Sequence, residues 1–249
     1  MKNKFIFITF FVFITTIDCQ NNNQTGKKLN LSECDETNWQ EYYNNNNKNL
    51  IGCDLKGANL ESVNLVGANL YYAKLEGANL SRANLSGIDL SSSNLVNTNF
   101  KGALMTNAKL HEALLMNTDF SGAILTGADL SKVKGVLKKN IKADFSGANL
   151  QEANLSDGNF IFSNFREANL YKANLQRTIL NNANFEKAII TNAYLGDSQL
   201  KKVNFSGANL SMSNLERADL ENANLMSTNL VVNLKGANLK GANMWYAKL

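Results

Sequence analysis

The 249-residue chain contains no proline, a single histidine and only three cysteines. Without proline every peptide nitrogen keeps its hydrogen, so each residue can donate to a neighbouring segment, as stacked coils require. The lone imidazole, His111, follows a leucine in an outward slot, and a nucleophile–base relay or a zinc site needs more than that. Carboxylates are numerous but dispersed, and no phosphate-loop or calcium-loop motif occurs. The expectation is a protein that is not an enzyme, with no catalytic residue, no metal and no cofactor. Charge of one sign is lacking too: 25 basic residues against 21 acidic ones leave a net +4. The one long apolar run, Phe5 to Ile17, is short for a membrane span.

What fills the chain instead is a five-residue period. Every multiple of five from Leu55 to Leu130, and again from Phe145 to Leu230, is Leu or Phe, apart from Met105 and Ile190. Two residues earlier stands a small residue, usually Ala, and Asn or Asp commonly lies between, as in Gly57-Ala58-Asn59-Leu60 and Gly207-Ala208-Asn209-Leu210. Neither a helix nor a flat strand keeps that spacing on one side. A short extended segment followed by a corner does, with the large and small residues inward and Asn, Asp and Gly at positions that corners accept. Asp54, Asp89, Asp119, Asp129, Asp144 and Asp219 share the slot of the repeated Asn, so structure explains them. Phe145, Phe165, Phe185 and Phe205 recur every 20 residues, as do Phe100 and Phe120, while Phe160 is off this column. Twenty residues per coil predicts four faces, with one wall of stacked rings and about nine to ten coils.

The repeat A-[ND]-[LF]-x-x resembles the pentapeptide-repeat family, over about 195 of the 249 residues. The resemblance implies an all-β fold, a right-handed quadrilateral parallel β-helix, and leaves function open. Some members of the family inhibit or protect DNA gyrase by imitating DNA in shape and negative charge. Removing residues 1 to 19 takes away Lys2, Lys4 and Asp18 and leaves this chain at +3, which argues against that imitation and against nucleic acid as partner.

Three departures from the repeat define the expected organisation. Lys2 and Lys4, the apolar run, Asp18 and Cys19 read as a secretory signal peptide over 1–19. Cys19 sits where a lipoprotein cysteine would, although Asp18 and Thr16 do not suit lipidation; membrane attachment follows only if Cys19 is lipidated. Residues 20–50 are a linker and cap, and 51–249 the β-helix. Cys34 and Cys53 bracket the cap and either form a disulfide or leave Cys53 as a buried stand-in for Ala. Near 131–142 the phenylalanine column slips by five residues, so a loop is expected there; Lys132, Lys134, Lys138, Lys139 and Lys142 make it basic, suited to an anionic partner or simply solvated.

Apolar residues in outward slots are the remaining candidates for contact. Val96, Leu114 and Met116 share one face, Leu104 and Ile124 another, and Ile161, Phe162 and Ile179 form a group beyond the loop. At the C-terminus Trp245 and Tyr246 either fold over the last coil or lie where two copies meet; terminal-coil dimers are what the resemblance implies. The reading is an exported scaffold, secreted, periplasmic or at the cell envelope, that offers a rigid surface to a protein or envelope partner. The alternative is a DNA-mimicking regulator or protector of a type II topoisomerase.

Overall fold

The structure, a computed structural model, describes residues 33–134 and 142–249. The signal segment, Cys19, Lys138 and Lys139 lie outside the described residues. Within them the chain winds as a right-handed four-sided β-helix in which each face of each coil contributes one bridging residue, the one before the core Leu or Phe, paired in parallel with its counterpart 20 residues on, as in Asn59 with Asn79 and Asn64 with Asn84. Four of every five backbone amides are used by this geometry. Leu80 donates up to the Asn99 carbonyl at 2.7 Å, Asn79 down to Ala58 at 2.9 Å, Gly77 up to Val96 at 2.9 Å, and Ala78 closes the corner on Leu75 at 2.9 Å. Where Asn or Asp stands before the core residue, its side chain commonly meets the fifth amide, as Ser81 N–H donates to Asn79 Oδ1 at 3.2 Å. That bond is why Asn or Asp stands before the core residue.

The third residue of each corner takes positive φ, +66° at Gly57 and +57° at Ser62. Glycine meets that demand without penalty, and the other occupants are held there by the coils on both sides.

The faces are numbered from the core columns. Face 1 runs through Leu60, Leu80 and then Phe100, Phe120, Phe145, Phe165, Phe185 and Phe205; face 2 through Leu65, Met105, Leu150 and Ile190; face 3 through Leu70, Leu110, Leu155 and Leu195; face 4 through Leu75, Leu115, Phe160 and Leu200. Face 1 stacks its rings at centroid spacings of 5.1, 4.9, 4.8 and 4.6 Å from Phe100 to Phe185, close to parallel. Phe160 meets that column from face 4 edge-on, 5.9 Å from Phe145 and 5.7 Å from Phe165. Inward hydroxyls at the small position such as Thr98 and Thr118 are satisfied by the Leu75 and Leu95 carbonyls, each at 2.8 Å, whereas the buried Ser163 Oγ has no hydrogen-bond partner among the described residues.

The register slips where the sequence places a loop. Leu114 pairs with Lys134, but Asp119 pairs with Asp144 and Asp129 with Asn154, so the register shifts by five residues between Lys134 and Lys142. A one-residue deletion appears where Asn214 pairs with Asn233.

The N-terminal end is covered by a seven-residue helix α1, Trp39–Asn45, whose Tyr42 is buried against the core with Cys34 and Leu50. The ladder begins before the expected boundary at 51: Asp35 already pairs with Asp54 and Asn49 with Asn69. Cys34 and Cys53 are joined, with Cα atoms 4.8 Å apart, so the cap is pinned to the first coil by a bond that contributes roughly 3 kcal/mol.

Phe145 stacks between Phe120 and Phe165 and is fully buried. Phe145→Ala is expected to lower unfolding stability by about 3–5 kcal/mol in urea titrations, the range for a buried aromatic truncated to a cavity.

Candidate contact surface on the fourth face

The side chains expected to make contact on either side of the loop converge on one face. Leu114 is the rung beneath Lys134, and Ile179 the rung above Asn159. Met116 and Ile161 follow core residues of the same face, and the Lys142 amide donates to the Ile161 carbonyl at 3.4 Å. Phe162 sits at the adjoining corner with φ of 61° and is 45% exposed. Leu114, Met116, Ile161 and Ile179 are half-buried. Val96 departs from expectation: it is 5% exposed and offers no contact area. Its short branched side chain lies between Glu76 and Met116, which hold the same slot one coil away on either side. Leu104 and Ile124 pair with each other on face 2, where they are 41% and 38% exposed.

Charge surrounds the patch. Lys132, Lys134 and Lys142 are exposed at the mouth of the insertion. Lys134 Nζ lies 3.0 Å from Glu112 Oε2, and the hydrogen bond and charge of Lys134 hold the Glu112 carboxyl below the usual range. His111 Nδ1 is 2.8 Å from Ser131 Oγ, and its Nε2 is 3.6 Å from Glu112. A serine, a histidine and a glutamate therefore line up, but Ser131 is buried at 7% exposure, so the line ties two coils together instead of presenting a nucleophile. Among the described residues no group of three or more His, Cys, Asp or Glu is placed to hold a metal ion, and no helix is long and apolar enough to cross a membrane. A shallow groove of about 390 Å³, lined by Glu61, Arg82, Lys101 and neighbouring Ser and Gly, lies on the corner after face 1, away from this patch.

One feature escaped the reading of the sequence. Glu112, Lys132, Asp157, Arg177, Asp197 and Arg217 occupy the positive-φ slot of a single corner, so acid and base alternate along the shaft. Arg177 grips Asp157 through two bonds of 2.7 and 2.8 Å, and Arg217 grips Asp197 through two of 2.7 Å. The signal was present as alternating sign every 20 residues, read across the five-residue slip.

Among the described residues no coil lies above the last one. Trp245 and Tyr246 do not fold over it: they are 73% and 80% exposed and meet each other edge-on at 6.3 Å. The Trp245 amide bonds Asn243 Oδ1 at 3.2 Å and Tyr246 has φ of 57°, so the corner is regular and both side chains point outward. Leu234, Leu239 and Met244 remain half-buried at the end of the core.

The hydrogen bonds from Arg177 and Arg217 lower the pKa of Asp157 and Asp197. The stability from these pairs is fully present above the unfolded carboxylate value of about 3.9 and is lost as pH falls through the lower folded values. Arg177→Gln with Arg217→Gln is therefore expected to melt below the parent at pH 7, with the difference shrinking as pH falls below about 3.9 in a series of thermal melts.

A family model for pentapeptide repeats matches the chain in 8 copies, between residues 49 and 134 and between 143 and 231. Among solved structures, HetL, a pentapeptide repeat protein involved in heterocyst differentiation regulation from the cyanobacterium Nostoc sp. strain PCC 7120, is 27% identical over 85% of this chain and 93% of its own, with a TM-score of 0.44. Trypsin-treated QnrB1, a plasmid-mediated fluoroquinolone resistance protein, is 20% identical over 79% of this chain and 89% of its own, with a TM-score of 0.56, a likeness of fold. No curated protein sequence matches the chain.

Proposed function

Because the chain belongs to the pentapeptide-repeat family, whose members are generally structural or binding proteins, we infer that it is a non-enzymatic, exported scaffold that engages a protein or envelope partner through face 4. The observation that carries this reading is the convergence of Leu114, Met116, Ile161, Phe162 and Ile179 with exposed lysines around the insertion. An apolar centre with a charged rim is the composition of a contact surface. Export is supported by the lysines and apolar run ahead of Cys19 and by the Cys34–Cys53 bond, which persists in oxidising compartments. Acylation of Cys19 would anchor the shaft to a membrane. The C-terminal coil, with half-buried Leu234, Leu239 and Met244, suits an end-on contact with a second copy.

The alternative, imitation of DNA towards a topoisomerase, needs a continuous acidic face. On face 1 Asp119 and Asp144 are adjacent rungs, but Lys101 and Arg166 follow in the neighbouring corners, and face 4 carries Lys56, Lys74, Lys134 and Lys201. The charge pattern favours the scaffold.

Fractionation of the native host with intact-mass analysis tests the compartment, and co-sedimentation with isolated envelopes tests the face. The mature chain is expected outside the cytoplasm with its disulfide formed, and Phe162→Asp combined with Lys132→Glu is expected to lower envelope binding by about tenfold, as for loss of a central anchor and a rim charge. A full-length, reduced chain in the cytoplasm contradicts the proposal.

A further inference from the structure

Face 2 differs from the other three in charge. From Asn64 to Val231, the two columns that make its surface, the residues just before and just after each core residue, contain no Asp, Glu, Lys or Arg. Each other face carries several. Face 2 exposes aliphatic side chains instead: Val66, Leu104, Ile124, Ile189 and Val231 lie in those columns at 36–56% exposure. A flat, neutral surface with this much aliphatic area does not suit an ionic partner, and leaving it in water is unfavourable.

We propose that face 2 is the interface of a side-by-side antiparallel homodimer. The face is self-complementary. A twofold axis lying in the interface, across the shaft between the coils of Leu150 and Leu170, sets each column of one copy against the same column of the other with the coil order reversed. Ile124 then meets Ile189 of the second copy and Thr126 meets Thr191, each contact occurring twice. In the corner that follows face 2, Glu152 and Lys172 stand on adjacent coils, and the same axis brings each Glu152 to Lys172 of the other chain. Neither residue has an ion pair among the described residues; the Lys172 ammonium rests 5.2 Å from its neighbour Tyr171. On the opposite rim the long side chains of Glu167 and Lys187 come to lie over Gly147 and Gly122 of the second copy, where there is room: a Cβ added at either glycine meets nothing within 4 Å. A parallel arrangement, with the axis along the shaft, sets the Glu152 rim against the other rim and gives no such pairing.

The area agrees with a reversible dimer. About nine coils at ~4.8 Å and a face roughly 12 Å wide bury on the order of 1,000 Å² in total, the lower edge for a specific interface. The shafts lie side by side with their C-terminal coils at opposite ends, so this contact is distinct from an end-on one.

The experiment is sedimentation velocity of the mature, disulfide-bonded protein over about 1–100 μM, a range suited to an interface of this size. The parent is expected to form a concentration-dependent dimer. Glu152→Lys alone and Lys172→Glu alone place like charges across the axis and are expected to weaken it about tenfold each, while the double exchange restores it to within about threefold. Ile124→Asp is expected to abolish it without changing the circular dichroism. A monomer throughout the range overturns the proposal. So does a dimer that ignores all four variants, and if that dimer is lost with Leu239→Asp the association is end-on.

Discussion

Every feature of this protein depends on one hydrogen-bond relay between coils. The amide of each core residue donates to the coil above, the amide before it donates to the coil below, and both faces of every coil are thereby committed. A single coil leaves half of these groups unpaired and buries too little apolar surface to offset the ordering of its backbone, so stability comes only with stacking. The absence of proline follows directly, since one proline at either amide would break a rung. The relay also explains why the ends differ from the middle. At one end α1 and a disulfide cover the first coil; at the other, the amides of Leu234, Leu239 and Met244 find no coil above among the described residues.

Stacking also turns sequence columns into surfaces. Side chains 20 residues apart lie one coil apart, so any bias repeated at that spacing becomes a stripe. On face 1 the stripe is Asn: Nδ2 of Asn184 donates to Asn164, and Asn204 to Asn184, at 3.3 and 3.0 Å. That ladder breaks at Asp119 and Asp144, whose carboxylates have no hydrogen to pass on. At the corner after face 3 the stripe is alternating charge, on face 2 an absence of charge, and around the insertion a mixture of apolar and basic groups. Function in such a molecule is a matter of which stripe meets which partner.

The architecture was legible because it repeats. Leu or Phe at every fifth residue fixes which side is inward, the Phe145 to Phe205 column fixes the coil length, and the 25 residues from Phe120 to Phe145 locate the insertion. The contact surface was only half legible. Leu114 and Ile161 were read as separate groups because the insertion hides that Leu114 and Ile179 belong to the same column. Val96 was assigned outward by its slot, which is correct, but a slot does not report how far longer neighbours cover a short side chain. Trp245 and Tyr246 were expected over the end of the core or at a dimer contact; the fold-over failed because a regular corner points both of them away from the shaft. The charged corner was missed because it skips a step at the slip in register.

Native-state hydrogen exchange, read residue by residue, tests the relay most directly. In a regular unit such as Gly77 to Ser81 the amides of the core residue Leu80, of Asn79 before it, of the small inward Ala78 and of the positive-φ Gly77 are bonded to backbone carbonyls, while the Ser81 amide has only the Asn79 side chain. The account predicts protection with a period of five, four slow amides and one faster, continuing across the insertion. Protection that alternates every second residue, runs unbroken along segments, or loses its period after Lys142 would contradict it.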